Sequence, residues 1–142
     1  MKVFLSHGQR GLPIARKVAV ELAQAGLSVW LAEDEILPGD NWGERVSTAL
    51  AECDAMVALL TGDAVSEDSV LWEIGYAMGQ QAYRERLIPV LVGSEVEVPG
   101  HRLPWILERF QHLRLRRPED APQLARSIAR LLMTPSAPAM AL

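Results

Sequence analysis

The chain reads as an α/β fold, an open five-stranded parallel sheet with helices on both faces. Two observations predict it. Short runs rich in β-branched and other apolar residues alternate with amphipathic helical patterns from one end of the 142 residues to the other. One of those runs, "AMVALLT" (Ala55–Thr61), is apolar throughout, as a central strand covered on both faces must be. Five strand–helix units in one domain-sized chain imply right-handed crossovers, and the flavodoxin-like strand order 2-1-3-4-5 is the expected topology.

The elements follow in order. "KVFL" (Lys2–Leu5) is the first strand. In "PIARKVAVELAQAG", Ile14, Val18 and Leu22 recur every four residues; Pro13 suits a first helical turn and Gly26 a helix stop. "SVWL" (Ser28–Leu31) is the second strand, and the loop "AEDEILPGDN" leads to a helix capped by Asp40 or Asn41. Its expected inward stripe is Trp42, Val46, Leu50 and Cys53. After the central strand, a third helix capped by Asp68 or Ser69 occupies "SVLWEIGYAMGQQAY" (Ser69–Tyr83), whose one charged side chain is Glu73. "LIPVLV" (Leu87–Val92) is the fourth strand. A short helix near Trp105 precedes a weaker fifth strand, "FQHLRL" (Phe110–Leu115). The last helix opens at "EDAPQL" and packs Leu124, Ile128, Leu131 and Leu132. The expected domain is residues 1–133, with 134–142, "TPSAPAMAL", a tail or the start of a linker to further domains of a longer parent.

Composition narrows the functions. A 49% hydrophobic, 23% charged chain is that of a globule. The formal net charge of -4 argues against a nucleic-acid binder, which needs Lys and Arg for phosphates. One cysteine, Cys53, allows neither an internal disulfide nor a thiolate metal cluster. With no signal peptide and no apolar run near the roughly 20 residues of a membrane span, the expected location is the cytoplasm.

In sheets of this topology ligands sit beyond the strand C-termini, where strands one and three part. Three segments meet there: Ser6, His7, Gly8, Gln9 and Arg10 after strand one, the Glu33–Trp42 loop after strand two, and Thr61–Gly62 leading to the helix of Glu73. A phospho-receiver would need paired acids after strand one and an Asp after strand three; Ser6-His7 and Thr61-Gly62 stand there. "SHGQRG" is a poor flavin phosphate loop, and neither G-x-x-x-x-G-K-[ST] nor G-x-G-x-x-G occurs. Ser6 and His7 are neighbours on a strand, so they point to opposite sides and form no nucleophile pair. Pro38-Gly39 is turn chemistry, with Gly in the left-handed position.

"VFLSHG", "VWLAEDEILPGDNW", "AMVALLT" and "VLWEIGYAMG", in this order and spacing, resemble the Toll/interleukin-1 receptor (TIR) domain in its bacterial form. The resemblance covers about Lys2 to Val92. It implies the same fold and one of two roles. Many members are NAD+ glycohydrolases (NAD+ nucleosidases) that release nicotinamide with ADP-ribose or a cyclic form, often on self-assembly in bacterial antiviral defence. Others are non-enzymatic adaptors working through TIR–TIR contacts. The family's catalytic glutamate, on the helix after the third strand, corresponds to Glu73, while Pro38, Gly39, Asp40 and Trp42 match its loop. By the same carry-over, Ser6, His7 and Trp42 are candidate substrate contacts; Arg10 is a candidate for a pyrophosphate. NAD+ is then a substrate, with no resident cofactor and no metal. The chain departs from the family at Ser69, where a tryptophan often stands four residues before the glutamate, at Asp34-Glu35 and at Phe110-Gln111. A nucleotide sensor on the same fold is a third reading.

Overall fold

The computed structural model describes residues 1–62, 68–80, 83, 86–100, 103, 107 and 110–133, and of residues 68 and 69 the backbone alone. Five parallel strands, β1 (Lys2–His7), β2 (Ser28–Trp30), β3 (Ala55–Leu60), β4 (Leu87–Val92) and β5 (Leu113–Leu115), lie in the order β2-β1-β3-β4-β5. Between them run α1 (Leu12–Gln24), a single-turn α2 (Ala32–Glu35), α3 (Trp42–Glu52) and α4 (Asp68–Met78), and α5 (Ala121–Met133) follows β5. The expected architecture and strand order are those observed.

Side-chain alternation along the strands builds two cores. In β3, which is buried at every residue, Ala55, Val57 and Leu59 face α1 and α5 with Val18, Leu22, Leu124 and Ile128. Met56, Ala58 and Leu60 face the other way, onto α3 and α4, with Val46, Leu50, Val70, Ile74 and Ala77. Phe4 stacks on Trp30 in this second core, with ring centroids 5.0 Å apart. Strand pairing sets Ser6 beside Ala58 and His7 beside Leu59, so β1 ends at the sheet's upper rim next to its central strand.

Several expectations are corrected. The loop after β2 opens with α2, where the Asp34 and Glu35 N–H groups donate to the Leu31 carbonyl and three acids favour the positive end of the helix. Of the two expected caps of α3, Asn41 is the one used, its Oδ1 accepting from the Glu44 N–H at 3.0 Å. Trp42 leaves the inward stripe: it is the first helical residue and 52% exposed, while Val46, Ala49 and Leu50 carry the packing. Leu131 is 48% exposed because the buried face of α5 runs through Leu124, Ala125, Ile128 and Leu132, one residue out of phase with it.

Helix α4 stops at Met78, before Gly79, a residue of low helix propensity. Asp68 is already helical, and the residue that would cap it lies outside the described ones. β5 begins only at Leu113, since Phe110 is held in a turn by its N–H bond to the Leu107 carbonyl. The expected helix near Trp105 and the tail 134–142 lie outside the described residues.

Tyr83, past the end of α4, is 1% exposed, and its hydroxyl donates to the Leu50 carbonyl at 2.6 Å. That carbonyl is in the last turn of α3, where helices lack internal donors. Burial pushes the Tyr83 phenol well above its ordinary range, and it pushes the neighbouring Cys53 thiol up to about 11. Tyr83→Phe leaves the buried carbonyl unpaired, with an expected loss of about 1–3 kcal/mol in urea unfolding.

Candidate active site

The rim of the sheet holds a cavity of about 300 Å³ lined by Phe4, Leu5, His7, Gly8, Gln9, Ala32, Glu33, Trp42 and Glu73. Four elements supply it: the C-terminal end of β1, α2, the first residue of α3, and α4. This is the crevice where β1 sends its chain one way and β3 the other, the place at which open α/β sheets receive ligands.

Glu73 reaches it because of the phase of α4. Val70, Ile74 and Ala77 are fully buried against the sheet, and Trp72 and Gly75 face outward. Glu73 lies on the flank between these faces, partly buried. Its Oε1 accepts a hydrogen bond of 2.5 Å from Ser6 Oγ. Ser6 is a buried polar residue, 1% exposed, on the same side of β1 as Phe4. The isolated carboxylate of "SVLWEIGYAMG" thus has a designated donor 67 residues earlier in the chain.

His7 points the other way, as strand alternation requires. Its Nδ1 is 2.8 Å from the Gly8 carbonyl oxygen and its Nε2 2.9 Å from Glu33 Oε1. Ser6 and His7 therefore engage different carboxylates on different elements. Glu33 is the site residue that the motifs passed over. Its signal was positional: it stands just after β2, in a loop already placed at the rim.

Trp42 is delivered by a stitched loop. The Asp40 N–H donates to the Leu37 carbonyl at 3.0 Å, and Gly39 has φ +92°, so Leu37–Asp40 forms a turn with Pro and Gly at its two centres. Asp40 Oδ2 also accepts from the Leu37 N–H at 2.9 Å. Arg45 Nη2 donates to the Glu35 carbonyl, tying α3 to α2. The Asn41 cap then starts α3 with Trp42 at the cavity, an exposed aromatic face beside a carboxylate.

Of the expected site residues, Glu73, His7 and Trp42 line the cavity, and Ser6 lies behind it on Glu73. Arg10 is exposed on the turn Gln9–Gly11 and is not among the lining residues. Trp72, the chain neighbour of Glu73, tilts against Tyr76 on the outer side of α4. Among the described residues no cluster of His, Cys, Asp and Glu could hold a metal ion, and no helix is long and apolar enough to cross a membrane.

Comparison with known proteins bears on the family and the fold. A probable 2′ cyclic ADP-D-ribose synthase, BdTIR, of Brachypodium distachyon is 32% identical over 123 aligned residues, covering 78% of the chain and 53% of the relative. The chain thus spans about half the length of that curated relative. In fold it is similar to a metazoan TIR-STING receptor from C. gigas, solved with 2′,3′-cGAMP, at TM-score 0.77 and 20% identity over 94% of this chain and 39% of that one. It is also similar to the TIR domain of the Toll-related receptor TRR-2 of Hydra magnipapillata, at TM-score 0.67 and 15% identity over 89% and 96%. The model of the TIR domain matches residues 3–132, nearly the whole chain, and the chain belongs to that family.

Proposed function

We propose that this domain is an NAD+ glycohydrolase, a hydrolase that splits the nicotinamide–ribose bond and releases nicotinamide with ADP-ribose or a cyclic form of it. The observation that carries the reading is the 2.5 Å bond from Ser6 to Glu73 at the wall of a rim cavity that also presents Trp42. The relative named as a cyclic ADP-ribose synthase supports the same chemistry.

The reaction needs little beyond a placed carboxylate. When the glycosidic bond breaks, its electron pair goes to the pyridinium nitrogen, and nicotinamide leaves neutral. Positive charge develops on the ribose, an oxocarbenium-like species as in other glycosyl cleavages. Glu73, bonded by the Ser6 hydroxyl, opposes that charge and accepts hydrogen bonds from ribose hydroxyls. Trp42 stacks on the departing ring. Water then adds to the anomeric carbon and loses a proton, giving the linear product; an internal nucleophile on the same substrate gives the cyclic one.

In this reading the domain works in the cytoplasm, in bacterial antiviral defence, and is active when copies assemble within a longer parent protein. Leu37, 65% exposed on the loop next to the cavity, supports a contact between copies there. The non-enzymatic alternative uses the same exposed residues for TIR–TIR contacts and leaves Glu73 without a task.

Chromatography of NAD+ incubations tests the proposal. Nicotinamide release is expected to rise more steeply than in proportion to protein concentration, with crowding or immobilisation raising it further. A flat zero for the domain under all these conditions and for the intact parent overturns the enzymatic reading.

A further inference from the structure

From Leu37 to Arg45 every residue is exposed, and α2 before them has no fully buried residue. The apolar packing of α3 begins only at Val46. Polar bonds must therefore hold this stretch in shape. The acids of α2 moor it on two sides: Glu33 meets His7 of β1 at 2.9 Å, and Asp34 meets Arg16 of α1 at 3.3 Å. The third side is α3, and the Arg45 guanidinium spans it. Nη2 donates at 3.0 Å to the carbonyl of Glu35, the last residue of α2, while Nε faces Asp40 Oδ2 at 3.8 Å. The same Oδ2 accepts the Leu37 N–H, so one cation braces both legs of the turn.

The place of Arg45 is otherwise a poor one. It lies in the first turn of α3, near the positive end of that helix, where a cation is disfavoured. The end of α2 offsets this, because carbonyls that close a helix lack internal donors and attract a cation. Trp42 lies three residues before Arg45, on the same face of α3. Among the described residues no hydrogen bond or ring contact holds the Trp42 side chain. Arg45 thus joins the two cavity walls that α2 (Ala32, Glu33) and α3 (Trp42) supply, without lining the cavity itself. Without it α2 keeps its other two moorings, and Trp42 loses its tie to them.

We propose that Arg45 is a positioning residue: it fixes Trp42 relative to α2, and so governs binding of the ligand's base rather than the bond-breaking step. The inference rests on the NAD+-cleaving reading of the cavity and adds to it the residue that keeps the stacking face in place.

Nicotinamide-release kinetics of the full chain test this with Arg45→Ala, Arg45→Lys, Trp42→Ala and the Arg45→Ala/Trp42→Ala double variant. Arg45→Ala is expected to raise KM for NAD+ by about fivefold, the size of losing an exposed, charged hydrogen bond. Its kcat stays within about twofold, since Ser6 and Glu73 sit on β1 and α4, to which Arg45 is not bonded. Arg45→Lys keeps the charge but reaches one acceptor at a time, so its KM falls between the two. The double variant has the KM of Trp42→Ala alone, because Arg45 acts through that ring. Full additivity of the two KM effects separates Arg45 from Trp42 and overturns the proposal. So does an unchanged KM in Arg45→Ala, even where amide exchange of residues 36–42 quickens, because the brace then serves the loop alone. A wild type that binds NAD+ but releases no nicotinamide removes the glycohydrolase reading; calorimetric affinity for NAD+ then replaces KM in the same comparison. Failure of the wild type to bind NAD+ overturns both.

Discussion

Replacing Glu73 with glutamine is expected to lower kcat/KM for NAD+ cleavage by about 10²- to 10³-fold, the loss seen when one well-placed group that stabilises transition-state charge is removed. The magnitude follows from the setting. At an effective dielectric near 20, opposite unit charges 4 Å apart attract by about 4 kcal/mol, against about 1 in water. The difference corresponds to about two powers of ten in rate. Glutamine keeps an oxygen that can accept from Ser6 Oγ, so the side chain can stay where it is while the charge goes. Folding should hardly notice. The packing of α4 comes from Val70, Ile74 and Ala77, all fully buried, and Glu73 is only partly so. Thermal unfolding of Glu73→Gln within a few degrees of the wild type, beside a near-complete loss of nicotinamide release, is the expected pair of results. Turnover within tenfold of the wild type would sink the assignment of Glu73 as the catalytic carboxylate.

The sheet was legible because its strands are short and strongly apolar. "AMVALL" buries every residue, and the crossing pattern that follows from five βα units leaves few topologies open. Helices with a clean stripe, such as α1, were equally plain: Val18 and Leu22 are both inaccessible to solvent. Residues at helix ends were not. Trp42 and Leu131 continue an apolar period by sequence, but a period states only the angle around the axis. It does not state whether the neighbouring layer extends far enough to cover that turn, and at Trp42 it does not. At the site, Glu73 was visible as a lone charge in an apolar helix. Ser6 as its partner and Glu33 as the partner of His7 were not, because pairings 67 and 26 residues apart depend on register and helix phase rather than on any local pattern.

The second large effect is expected from Ser6→Ala, and it separates placing the carboxylate from merely possessing it. The Ser6 side chain is buried, with its hydroxyl aimed at one oxygen of Glu73. A hydrogen bond to a charged acceptor contributes about 1.5–3 kcal/mol, so its loss should cost about 10- to 100-fold in kcat. KM should stay nearly unchanged, since Ser6 lies behind the cavity wall and meets no ligand there. A purely structural serine would behave otherwise: alanine fills a β1 core position well, and kcat would not move. Ser6→Cys gives the graded control, because a thiol is a weak donor of similar shape. Its rate should fall between those of the wild type and Ser6→Ala. If all three enzymes share one kcat, the Ser6–Glu73 bond has no part in the chemistry, and other contacts orient Glu73.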